Sequence, residues 1–167
     1  AIRLPDQTMT DVPPKYKSRL VAGGHLEKDK DILRSDSPTC DISGQFMVLS
    51  FAASKKRHVK SLDITNAYFQ GEEQDRLMLL KQPTTGLPGE DPSQYFIARV
   101  PIYGTVDAGR KFWKKLKTEL TKLGLRENSV MPALYSMTDE SGKITLMVAT
   151  HVDDIIWVDT PETEWVM

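Results

Sequence analysis

Apolar side chains recur at three- to four-residue spacing from Asp41 to Arg57, where Phe46, Leu49, Ala52 and Ala53 predict an amphipathic helix. Asp41 or Ser43 is its candidate N-cap, and the basic tail Lys55-Lys56-Arg57-His58 suits a helix C-terminus. A second helix is predicted over Ala108 to Leu123, with Phe112, Leu116, Leu120 and Leu123 as its apolar stripe and Gly124 as its stop. The remaining periodicity is that of strands. Tyr16 to Gly23 alternates basic and apolar residues, Val59 to Ile64 reads as a buried strand, and Arg76 to Lys81 and Tyr95 to Val100 are short strand candidates. Ala133 to Met137 and Lys143 to Thr150 flank the turn-forming Asp139-Glu140-Ser141-Gly142, and a further strand runs through His151 to Trp157. The proline-bearing Ala1 to Lys15 and Gln82 to Gln94, and the polar His25 to Pro38, read as irregular connections.

This order predicts an α+β chain: an antiparallel sheet packed against helices. With 167 residues and 40% apolar content, it fits one domain with a real core. The net charge of −1 supplies no overall positive field, so any contact with nucleic acid must be local. The strongest local candidate is the second helix, whose other face carries Arg110, Lys111, Lys114, Lys115, Lys117 and Lys122, although a charged outer face is the commoner meaning of such a pattern. A lone cysteine, Cys40, cannot form an internal disulfide, which makes a reducing, intracellular setting the default, and His25, His58 and His151 show no zinc spacing. No apolar run approaches the roughly 20 residues of a membrane helix. The missing initiator Met, and the lack of any evident closing element after Asp159, suggest a piece of a longer polypeptide.

Three carboxylates stand apart from the many that only solvate the surface. Asp63 lies within the apolar Ser61-Leu62-Asp63-Ile64, and Asp153-Asp154 interrupts the apolar Thr145 to Val158. Acids in such surroundings are costly and, when clustered, repel each other unless a cation compensates them. Two-metal phosphoryl transfer needs acidic oxygens from at least two segments, holding cations about 3.5–4 Å apart. Strand alternation forbids Asp153 and Asp154 from contributing identically, and Asp153 is the better bridging ligand. Taken alone, however, an Asp-Asp pair is equally consistent with an ordinary hairpin turn.

The ordered company of these residues is more specific. YKSRLVAGG (16–24), SLDITNAYFQGE (61–72), RLMLLKQPTTG (76–86), IYGTVDAGRKFW (102–113) and THVDDIIW (150–157) resemble, in order, five blocks of copia-type retrotransposon reverse transcriptases. The resemblance implies a right-hand polymerase, with fingers at roughly 15–58 and 77–100, a palm at roughly 59–76 and 101–160, and thumb and RNase H absent. It implies RNA-directed DNA synthesis from dNTPs on an RNA or DNA template-primer, with two Mg²⁺ ions, or Mn²⁺, held by Asp63, Asp153, Asp154 and the carbonyl of Ile64. It further implies that Lys17 and Arg19 meet the triphosphate, that Tyr68 is the steric gate under the deoxyribose, and that Tyr103 and Gly104 lie beneath the nascent base pair. Arg110, Lys111 and Lys114 would follow the nucleic-acid backbone. Integrase and RNase H would be the polyprotein partners, in a cytoplasmic particle or the nucleus.

The chain departs from the family pattern at Val106 and Gly109, where lysine and proline are usual, and at His151, where tyrosine is usual. A folded but inactive retroelement remnant is therefore the competing reading. A metal-dependent nuclease or phosphatase would leave Tyr68, the 102–113 block and the 16–24 block unexplained.

Overall fold

The computed structural model describes residues 2–3, 9–10 and 19–167. It centres on a five-stranded, wholly antiparallel sheet of order β3-β9-β8-β7-β6, comprising β3 (Lys60–Asp63), β6 (Arg126–Glu127), β7 (Leu134–Thr138), β8 (Ile144–His151) and β9 (Asp154–Asp159). Two two-stranded ribbons stand apart: β1 (Ile2–Arg3) with β2 (Met9–Thr10), and β4 (Leu79–Lys81) with β5 (Tyr95–Ile97). The α+β class is as the pattern predicts.

Helix α1 (Ile42–Lys55) starts where Asp41 caps it, its side chain accepting from the amide of Gly44 at 2.8 Å. It ends on Lys56 in the left-handed conformation, with the Arg57 amide reaching back to the carbonyl of Ala52. Of the predicted stripe only Ala52 is buried. Gly44, Val48 and Ala52 pack inward, whereas Phe46 and Leu49 are exposed, Phe46 by 58%. The helix is apolar nearly all round, and small residues set its closest approach: a side chain on Gly44 would collide with Cys40 Sγ and lie 3.9 Å from Cβ of Leu134.

Leu134 and Tyr135 are successive residues of β7, so they leave the sheet on opposite faces. Leu134 meets α1, while the fully buried Tyr135 hydroxyl faces Trp113 of the second helix, α2 (Ala108–Lys122), and Glu127. The sheet is thus covered on both faces, and Leu120, Leu125, Tyr135, Leu146, Val148, Ile155 and Val158 form the continuous core. α2 ends as predicted at Gly124 (φ +93°), after which the Leu125 amide bonds the Leu120 carbonyl and its side chain is buried. Its stripe holds for Phe112, Leu116 and Leu120, but Leu123 is exposed. Lys111, predicted on the outer face, is buried; its ammonium donates to the Glu73 carbonyl (3.0 Å) and to Asp75 (3.1 Å).

Three further predictions need correction. β3 is an exposed edge strand, not a buried one, and Leu62 stands 50% open. Residues 19–23, the described part of the predicted first strand, are irregular; their main-chain anchor is the Ala22 amide, bonded to the Tyr103 carbonyl at 2.7 Å. The chain after Asp159 does close back on the core: Thr163 donates to the Thr145 carbonyl and Val166 is buried. No helix of the described residues is long and apolar enough to cross a membrane.

Candidate active site

The site forms where three strands meet at one end of the sheet. Val152 and Asp153 make a two-residue turn between β8 and β9, with His151 paired to Asp154. Val152 holds φ +55°, a left-handed conformation that a β-branched residue resists at a cost of about 1–3 kcal/mol. Strain of this kind persists where the surroundings over-determine the backbone, and functional sites are where it concentrates. Beside the turn, β3 aligns Asp63 directly opposite Asp154, and the Ile64 amide donates to the Asp153 carbonyl at 2.9 Å. Opposed residues of antiparallel strands have Cα atoms about 4.5–5.5 Å apart, so the three carboxylates belong to one small region.

They are divided between two cavities. Asp63, Asp154 and His151 are register partners in a row across β3, β9 and β8, and they line a cavity of about 460 Å³ together with Cys40 and Gln45. Asp153 lines a second cavity, of about 370 Å³, with Arg19, Tyr68, Tyr103 and His151. A short 3₁₀ helix, Ala67–Gln70, opens on left-handed Asn66 and presents Tyr68 there. The Tyr68 ring lies 4.8 Å from that of Tyr103 and edge-on to Phe112 of α2, while the Arg19 guanidinium sits over Tyr103 at 4.4 Å. Burial, and then the nearby carboxylate of Asp153, push the Tyr68 phenol above its ordinary value, so it stays a neutral donor. Gly104, at φ +92°, lets the 103–104 backbone press against residues 22–24; a side chain there would strike the Ala22 carbonyl, and one on Gly24 would strike the Gly104 carbonyl.

Of the residues picked out from sequence, Asp63, Ile64, Asp153 and Asp154 converge at the sheet end, and Arg19, Tyr68, Tyr103 and Gly104 gather beside them. Lys17 lies outside the described residues. The basic residues of α2 are engaged elsewhere: Arg110 pairs with Asp36, Lys111 with Asp75, and Lys114 with Glu72 at 3.9 Å, so a phosphate would compete with each of these acids. Sequence reading missed an ion-pair brace. Arg76 bridges Glu27 (2.6 Å) and Asp107 (3.3 Å), and Glu27 also accepts the Val106 amide at 3.0 Å, tying 24–27 to the start of α2.

The donor set is all carboxylate and carbonyl oxygen, which suits a hard cation such as Mg²⁺. Among the described residues no three His, Cys, Asp or Glu side chains close around one point, and Asp153 lines the Tyr68 cavity while Asp63 and Asp154 line the other. That is compatible with Mg²⁺, which takes one or two carboxylates and completes its shell with substrate phosphates and waters, and does not need an all-protein cage.

An antiparallel sheet with helices on both faces thus sets one aspartate opposite the second member of an Asp-Asp pair at its end. The chain belongs to the reverse transcriptase (RNA-dependent DNA polymerase) family, whose pattern matches residues 5–164. It is similar to the retrovirus-related Pol polyproteins from transposons RE2 and RE1 of Arabidopsis thaliana, 28% identical over 144 residues and 27% over 143. Each match covers 85% of this chain but 10% of the relative, so the chain spans about a tenth of the length of the curated relatives it matches. No solved structure matches it significantly. The resemblance to retrotransposon reverse transcriptases read from the five sequence blocks is borne out.

Proposed function

We propose that this chain is the fingers-and-palm portion of an RNA-directed DNA polymerase, extending a primer 3′-hydroxyl with dNTPs on a nucleic-acid template. The observation that carries the reading is the register that sets Asp63 against Asp154, with Asp153 on the intervening turn. Asp63, Asp153, Asp154 and the Ile64 carbonyl would hold two Mg²⁺ ions. When bound, these would stabilise the attacking and leaving oxygens of an in-line displacement. The chain's own groups position the reactants. Arg19 offers a guanidinium to triphosphate oxygens at the mouth of the Asp153 cavity. Tyr68, held against Tyr103 and Phe112, would be a rigid floor for the sugar that excludes a 2′-hydroxyl. Tyr103 and Gly104 support the base pair, Lys17 assists Arg19, and Arg110 and Lys114 contact the duplex to the extent that Asp36 and Glu72 release them, while Lys111 stays with Glu73 and Asp75. In this reading the fingers are roughly 15–58 and 77–100 and the palm roughly 59–76 and 101–160. Integrase and RNase H would be neighbours in a polyprotein, and the work would be done in an intracellular particle or the nucleus.

The test is primer extension on a poly(rA) template with Mg²⁺. Extension should depend on the divalent cation and stop when it is chelated. Asp63→Asn or Asp153→Asn should lower the rate about 10³-fold, the several kcal/mol of metal-borne transition-state stabilisation, and Asp154→Asn should lower it less. Activity that survives Asp63→Asn unchanged would refute the assignment.

A further inference from the structure

The carboxylate pairing at the site depends on a strand that has little to hold it in register. β3 is four residues long, lies at the sheet edge, and exposes three of its four side chains, including Leu62. Register is specified where one face is buried, and specified weakly where neither is. A slip of one residue along β9 would carry Asp63 to the other face and oppose Asp154 with Leu62 or Ile64.

At the far end of β3 lies a polar cluster that the proposed chemistry does not use. Asp159, the last residue of β9, is 1% exposed, yet its side chain is charged and fully occupied. Oδ2 accepts from Lys60 Nζ at 2.8 Å and from Trp157 Nε1 at 3.2 Å, and Oδ1 lies 3.5 Å from the Arg57 guanidinium. The Asp159 carbonyl also accepts from Arg57 Nε at 3.1 Å. Glu164 flanks the cluster on the solvent side, 3.5 Å from Arg57 and 3.8 Å from Lys60. Arg57 follows the end of α1, Lys60 begins β3, and Trp157 is the register partner of Lys60. The contact therefore joins helix end, edge strand and central strand at one point. Lys60 reaches Asp159 diagonally, two residues beyond its own partner, a geometry that a shifted strand cannot keep.

We propose that Asp159 is a positioning residue: by gripping Lys60 and Arg57 it fixes the β3–β9 register, and so holds Asp63 opposite Asp154 about 10 Å further along β3. Its value for catalysis rests on the metal-binding reading above, but its effect on register does not. The two are separable by experiment on this chain. Asp159→Asn, Lys60→Met and Lys60→Arg would be compared by native-state hydrogen exchange of the Ile64 amide, which bonds the Asp153 carbonyl at the site end, against that of Val148 in the core, and by titration with Mn²⁺.

The expected result is exchange that quickens relative to the parent more at Ile64 than at Val148 in Asp159→Asn and Lys60→Met, with weaker binding of Mn²⁺. Lys60→Arg, which keeps the charge and the bond, should behave as the parent. Unchanged exchange at Ile64, or exchange that rises equally at Ile64 and Val148, would overturn the proposal and leave Asp159 a stabilising residue only. If the parent binds no Mn²⁺ but Ile64 still responds, the clamp stands and the metal reading falls.

Discussion

Tyr68 shows how a single side chain is given its task. Its ring is held by Tyr103 on one side and Phe112 on the other, and its phenol stays protonated through burial and the proximity of Asp153. If it is the floor of the sugar pocket, Tyr68→Ala should raise ribonucleotide incorporation relative to deoxyribonucleotide by at least about tenfold, since only a few atoms of steric exclusion separate the substrates. Competition of rNTP against dNTP in single-nucleotide extension checks this, and an unchanged ratio would move the gate elsewhere. The residues gathered at the site were those most legible in the sequence, because acids inside apolar strands and an aromatic five residues after one of them are unusual neighbours. Asp159 was not legible. A single aspartate closing a strand looks like any turn residue, and its partners Arg57 and Lys60 come from about a hundred positions away.

At the level of elements, α2 and the three central strands followed their periodicity, and the misreadings each have a physical cause. The α1 face was misassigned because the helix is apolar nearly all round, so Phe46 and Leu49 gave as good a stripe as the one used; small side chains at Gly44 and Ala52 decided the contact. β6, two residues of opposite charge, has no strand signature and exists through pairing with Ser136 and Tyr135. Lys111 belongs to an otherwise basic face, yet tertiary structure turns it inward to Glu73 and Asp75. That burial makes a prediction at this scale. A phosphate-contacting lysine lowers the salt dependence of nucleic-acid binding by about one unit of slope when removed. Lys114→Ala should do so, whereas Lys111→Met should leave the slope unchanged and lower thermal stability instead; the reverse pattern would show that Lys111 leaves its internal partners for the duplex.

The whole molecule is a sheet locked between two helices, with separate polar ties fastening the edge strand and the 24–27 segment: Asp159 with Lys60 and Arg57, and Arg76 with Glu27 and Asp107. Burial pushes the Asp159 carboxyl up, but bonds from Lys60, Trp157 and Arg57 outweigh it and leave the group below its ordinary value of 3.8. A depressed carboxyl contributes stability at pH above its unfolded value, and that stability is lost as pH falls through the folded value. The tie should therefore hold at neutral pH and weaken below about pH 4. Urea midpoints measured from pH 6 to pH 2 should fall less steeply below pH 4 in Asp159→Asn than in the parent. Equal slopes would assign the acid sensitivity to other groups.

The central claim is that Asp63 and the Asp153-Asp154 turn act together on a divalent cation. Anomalous diffraction from crystals of this chain soaked in Mn²⁺ and a dNTP tests it most directly. The account predicts a peak within about 2.4 Å of carboxylate oxygens of Asp63 and of Asp153 or Asp154, with triphosphate oxygens completing the shell and Arg19 beside them. Ordered nucleotide in the Tyr68 cavity with no metal at those carboxylates, or manganese bound only elsewhere, would contradict it.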